Sequence, residues 1–113
     1  MENEINVLLE AIASDYLSWQ ERCSEVGKRP RTEIDARMFD EFVSRLSIEE
    51  GSKYIKIVSN GSVWGFINKG NKKFKVGDIL KAASWRAPAL NKARGNILEG
   101  GYDIKWTGPN YLI

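Results

Sequence analysis

Two β-rich runs, Lys53–Val58 and Val63–Asn68, stand on either side of Ser59-Asn60-Gly61-Ser62, and this pairing constrains the chain more than any other stretch. Asn-Gly between such runs predicts a type I′ turn, because both central residues adopt positive φ at little cost. A turn that tight makes the two strands antiparallel neighbours. Ile55 and Ile57 then share one face, with Tyr54, Lys56 and Val58 on the other. In the second run Trp64 and Phe66 face one way, and Val63, Gly65 and Ile67 the other. Trp64 and Phe66 read as core rather than as a stacking platform, since large aromatics dominate buried area. Gly65 inside a strand signals a bulge or a close backbone approach.

A sheet with one apolar face needs a cover, and the preceding residues supply two helices. Over residues 4–26, Ile5, Leu8, Leu9, Ile12, Tyr16, Trp19 and Cys23 form one stripe at three- and four-residue steps. Asn3 caps its start, and Gly27 before Lys28, Arg29 and Pro30 stops it. Cys23 reads as a small buried hydrophobe. A second helix starts with Thr32 as cap, and Ile34, Met38, Phe39, Phe42, Val43 and Leu46 form its apolar face. Asp35, Asp40, Glu41 and Arg45 fall off that face, and 47–51 reads as a turn.

Further strands are expected at Lys73–Val76, Asn96–Glu99 and Tyr102–Thr107, with Gly108-Pro109-Asn110 breaking the chain. Trp106 and Tyr111 flank that break and either pack the last strand or close over a pocket. The fold class is α+β: two N-terminal helices packed on an antiparallel sheet of about four to five strands. With 113 residues the chain is a single domain over 1–113, comprising a helical part (1–50) and a β-rich part (51–113).

Charge divides at the same boundary. Residues 1–50 hold 12 acidic and 6 basic side chains, and residues 51–113 hold 3 and 11. A basic half of that kind points to an anionic partner, against the blander readings of a solvated face or of helices pairing with the sheet. No run approaches the roughly 18 apolar residues that span a bilayer, and the acidic N-terminus is no signal peptide. One cysteine excludes an internal disulfide and suits a reducing cytosol.

The absence of histidine removes Ser-His and Cys-His catalysis and the usual zinc and copper sites. No Walker-type or Gly-x-Gly-x-x-Gly loop is present. Binding is therefore favoured over catalysis, with no cofactor and no metal expected. The stretch 81–96 carries four cations, no carboxylate and one Trp, with no clear period, and reads as an ordered ligand-contacting loop. Its candidate ligand-binding residues are Lys81, Ser84, Trp85, Arg86, Asn91, Lys92, Arg94 and Asn96. The cations attract phosphate, Trp85 offers a face for a base, and Ser84, Asn91 and Asn96 can hydrogen-bond a base edge or ribose. A core-plugging role for Trp85 competes evenly with stacking.

Gly77-Asp78-Ile79-Leu80-Lys81-Ala82-Ala83-Ser84-Trp85-Arg86-Ala87-Pro88-Ala89, with Arg94 downstream, resembles a family of small uncharacterised proteins of tailed bacteriophages. Their pattern combines Gly-Asp, a Lys, and Trp-Lys/Arg-Ala-Pro-Ala, and the likeness spans about residues 53–96. The segment Asn71–Val76 is an insertion, and Leu90 replaces a common Lys. The resemblance implies a phage-encoded protein in the cytoplasm of an infected bacterium and supplies no activity. The resulting expectation is a non-enzymatic, homo-oligomeric protein that captures a phosphate-containing nucleotide, for example to sequester an immune signal. Single-stranded nucleic acid is the alternative ligand. A small magnesium-dependent nuclease or nucleotide hydrolase using Asp78 or Glu99 is the alternative of a different class, and a factor contacting a host protein through its acidic helices is a third.

Overall fold

The computed structural model describes residues 2–26, 33–90, 92–100, 102 and 104–109, with the side chains of 23–26 set aside. Two helices, α1 (Glu2–Val26) and α2 (Glu33–Ser44), precede a four-stranded antiparallel sheet. Its strands are β1 (Ser47–Glu50), β2 (Tyr54–Ser59), β3 (Ser62–Asn68) and β4 (Ile79–Leu80), in that spatial order. A separate hairpin joins β5 (Ile104–Lys105) to β6 (Gly108–Pro109). The α+β expectation holds. The Asn60-Gly61 turn holds too, with φ of 51° and 79° at its two residues.

The helix-facing side of the sheet carries Ile55, Ile67 and Ile79 in one row across β2, β3 and β4, packed with Ile5, Leu8, Ile12 and Tyr16 of α1. A register shift between Ile57 and Val58 inserts a bulge into β3. Trp64 consequently joins this core, and its indole N–H donates to the Lys105 carbonyl at 2.8 Å. Phe66 instead pairs with Lys56 and Leu80 on the opposite side of the sheet. Strict alternation would place Trp64 and Phe66 together; both are buried, but the bulge assigns them to different faces. Gly65 permits this geometry, since a Cβ there would lie 2.9 Å from the Leu80 carbonyl oxygen and 3.1 Å from Pro109 Cγ.

Aromatic packing joins the helices to the C-terminal hairpin. Tyr16 stacks on Phe42 at 4.2 Å and meets the edge of Trp106 at 5.0 Å. Asp15 on α1 accepts the Trp106 backbone N–H at 2.8 Å. Trp106 therefore packs the helices. Tyr111 lies outside the described residues, as do the cap at Thr32, the stop at 27–30 and the Cys23 side chain.

Several expectations require correction. α2 is rolled relative to its expected face: Asp35 is buried, and Ile34 is 63% exposed. The side-chain amide of buried Gln20 donates to the Asp35 backbone carbonyl, so the inward stripe runs through Asp35, Phe39, Phe42 and Leu46. Residues 47–50 form a strand rather than a turn, with Glu49 and Glu50 held by Lys56 (3.2 Å) and Lys69 (3.6 Å). Residues 73–76 are not a strand; they wrap the fully buried carboxamide of Asn68, whose Nδ2 reaches the carbonyls of Asn71, Phe74 and Lys75. Residues 97–99 are a turn, and Gly108-Pro109, expected to break the chain, is a strand lying against Gly65.

Gly65→Ala should destabilise the fold by about 1–3 kcal/mol, the usual cost of forcing atoms into a filled space. Urea denaturation checks this: an unchanged midpoint would mean that Pro109 and the Leu80 carbonyl are not held against β3.

Candidate functional site

β4 runs directly into the basic stretch, an ordered loop whose first part, 81–89, closes as a narrow hairpin. Ala82 bridges Pro88, and the Ala89 N–H donates to the Lys81 carbonyl at 2.7 Å. Nearer the tip, the N–H groups of Ala83 and Ser84 both donate to the Ala87 carbonyl. Ser84 Oγ accepts the N–H groups of Arg86 (3.3 Å) and Ala87 (3.2 Å), locking a tight turn over 84–87. Ser is useful here because its short hydroxyl reaches its own backbone. The turn leaves Trp85 and Arg86 at the apex.

Trp85 is 50% exposed, which decides against the core-plugging role. Lys56 Nζ lies 4.4 Å from its ring centroid, a cation–π contact that tilts the apex toward β2. Between the apex and the β1–β2 turn runs an open cleft of about 410 Å³, lined by Arg86, Lys53, Lys56, Tyr54, Phe66 and the Glu49–Ser52 segment. Phe66 and Tyr54 meet edge-to-face at 5.9 Å on its floor. The cleft thus combines the rings of Tyr54 and Phe66, three cations and two carboxylates, Glu49 engaged by Lys56 and Glu50 by Lys69, with Trp85 beside it at the apex.

The eight expected residues do not all meet there. Ser84, Trp85 and Arg86 form the tip, and Lys81 lies at the hairpin base with interactions of its own. Arg94 and Asn96 line a second open cleft of about 550 Å³, together with Lys73, Phe74, Lys75 and Tyr102. Lys92 is exposed, does not line that cleft and has a partner of its own, and Asn91 lies outside the described residues. Asn96 has little left to offer a ligand. Its Nδ2 donates to the Val76 carbonyl and Asp78 Oδ1, and its Oδ1 accepts the N–H groups of Leu98 and Glu99.

Asp78 is equally occupied, for its second oxygen accepts the Lys75 N–H at 2.9 Å. Glu99 is exposed and lies 3.4 Å from Lys75 Nζ. Among the described residues no three His, Cys, Asp or Glu side chains gather as a metal site would require. No described helix is long and apolar enough to cross a membrane. Burial raises the Tyr102 phenol above its ordinary 10.0.

Lys53, Lys56 and Tyr54 were not expected at the site, and Phe66 was expected in the core rather than as a stacking surface. Alternation along β2 does place Tyr54 and Lys56 on the face away from the helices. What it cannot reveal is that a distant hairpin folds back over that face.

The α+β scaffold thus carries a Trp-Arg hairpin apex beside a cleft lined by three cations and two carboxylates. The chain belongs to a family of unknown function (DUF7717), whose model matches residues 2–106 and so includes the helices as well as the hairpin. No curated protein and no solved structure matches the sequence.

Two variants separate scaffold from surface. Asn96→Ala should cost about 2–4 kcal/mol, since each buried group left without a partner costs about 1–3 kcal/mol. Trp85→Ala should cost less than about 1 kcal/mol, the scale of an exposed cation–π contact. Equal losses in thermal or chemical denaturation would contradict this division. Tyr102 gives a pH signature. Its folded pKa lies above its unfolded one, so its contribution is intact below about pH 10 and is lost as pH rises through the folded value. Tyr102→Phe should flatten that alkaline decline in urea-denaturation series.

Proposed function

We propose that this chain is a non-enzymatic binding protein that captures a phosphate-bearing nucleotide in the cleft beneath the 81–90 hairpin. The observation that carries this reading is the half-exposed Trp85 at a locked turn, with Arg86 beside it and Lys56 against one side of its ring. A base stacks on the open part of Trp85, and the phosphate is held by the Arg86 fork with Lys53. The hairpin is set before the ligand arrives, so little ordering cost is left to binding. The likeness to tailed-phage proteins extends the reading to an infected bacterial cytoplasm, where holding a signalling nucleotide out of circulation is the role such capture would serve.

Single-stranded nucleic acid would use the same stacking and cationic contacts, and salt distinguishes the two. A polymer ligand loses affinity steeply with salt through counterion release, whereas a small nucleotide releases few ions. Calorimetric titration with mono- and dinucleotides and with an oligonucleotide, at two salt concentrations, should show saturable binding of a small nucleotide with shallow salt dependence. Trp85→Ala and Arg86→Ala should each weaken it about 10-fold or more, as the loss of about 1–3 kcal/mol of stacking implies. Unaltered binding in both variants would refute the site, and tight, salt-sensitive binding of the oligonucleotide alone would transfer it to the polymer.

A further inference from the structure

The two edges of the sheet are treated differently. Beyond β4 the backbone is covered: Ile79 N–H donates to the Gly95 carbonyl, Arg94 N–H to the Ile79 carbonyl, and Ile97 N–H to the Gly77 carbonyl. Beyond β1, among the described residues, no strand follows. All four β1 residues are exposed, Ile48 by 43%. Exposed edges are usually defended by outward charges, lysine above all. Here the charges are Glu49 and Glu50, and both are drawn back onto the protein's own Lys56 and Lys69.

We propose that β1 is the interface with a second copy of this chain, pairing antiparallel with its counterpart about a two-fold axis at Ile48. The backbone pattern selects that residue. Gly51 N–H donates to the Tyr54 carbonyl at 2.9 Å, closing the β1–β2 turn. By alternation Glu49 and Ser47 direct their N–H and C=O groups to β2, and Ile48 and Glu50 direct theirs outward. A two-fold perpendicular to the sheet keeps the helices of both copies on one side. Residues opposite each other must then share a face, which restricts the register to one centred on a residue rather than between two. Centred on Glu49, it opposes carboxylates, an unfavourable cross-strand pair. Centred on Ile48, it exchanges two backbone hydrogen bonds between the isoleucines, packs their side chains together on the helix side, and sets Ser47 against Glu49 of the other copy.

The same axis puts both Trp85 hairpins on the other side of the joined sheet. The two β2 strands are then three strand spacings apart, about 14 Å. A ligand with two bases, such as a cyclic dinucleotide, reaches both apices at once, whereas a mononucleotide reaches one. This last step rests on the nucleotide reading above; the dimer rests on the edge alone.

Sedimentation equilibrium of the full chain should give the mass of two chains. Ile48→Pro deletes an outward N–H but no bond to β2, and should halve that mass with the circular dichroism spectrum retained. Should this variant lose its fold, Ile48→Cys in a Cys23→Ser background gives a second test. The axial Cα atoms, about 5.5 Å apart in a hydrogen-bonded pair, permit a disulfide, and oxidation should yield covalent dimers. A monomeric parent chain, a dimer that survives Ile48→Pro, or an Ile48→Cys variant that fails to cross-link each overturns the interface. Calorimetry with a cyclic dinucleotide should give one ligand per two chains, weakening at least 10-fold in Ile48→Pro. One ligand per chain overturns the bridging. An intact dimer that binds no nucleotide refutes the proposed function and leaves the interface standing.

Discussion

The carboxamide of Asn68 is the constraint on which the placement of the site depends. It sits fully buried at the end of β3, and its Nδ2 gathers three carbonyls of the following loop while its Oδ1 accepts the Asn71 N–H. Its backbone fixes the other end of the same loop, since Gly77 N–H donates to the Asn68 carbonyl and Asn68 N–H to that of Asp78. A segment without regular structure is thereby closed as firmly as a helical turn, and β4 starts at a set position. Asn71 continues the chain of contacts to the Tyr54 hydroxyl at 2.7 Å, on the floor of the Trp85 cleft. Buried amide networks of this kind are costly when incomplete and rigid when complete.

Much of the fold was legible in the sequence because it rests on short-range rules. The Asn60-Gly61 turn, the Ile55/Ile57 face and the α1 stripe through Ile5, Leu8, Ile12 and Tyr16 each follow from spacing alone. What was not legible depends on partners distant in sequence. β1 is polar and short, and is a strand because its backbone pairs with β2 across the turn that Gly51 and Tyr54 close. The roll of α2 depends on Gln20, fifteen residues before its acceptor. Gly65 signalled a bulge or a close approach, but not that both would occur or that Pro109 would be the neighbour. At the site, Trp85 and Arg86 were legible as chemistry; Lys53 and Lys56 were not, because a strand lysine becomes part of a site only once the hairpin lies over it.

The charge division also has a structural meaning. The basic half does not present a uniform field: Lys56, Lys69 and Lys75 are engaged by Glu49, Glu50 and Glu99. Exposed pairs of this sort contribute little to stability, typically about 0–1 kcal/mol each. Their effect is to restrict where positive potential remains, and the apex at Arg86 is one such place. The proposed capture of a small nucleotide rests on such local charge, whereas a long polyanion would draw on a broad positive surface.

The contact between Asp15 and Trp106 joins residues 91 positions apart, and the bond from Trp64 to Lys105 spans 41. The β2–β3 hairpin, by contrast, closes within a few residues. Order in time follows from these separations: hairpin and helices can form early, but the aromatic layer around Tyr16 has to wait for the β5–β6 turn most of the chain away, and such distant closures slow folding. Until then Tyr16, Trp19 and Phe42 remain without the indole that completes their packing.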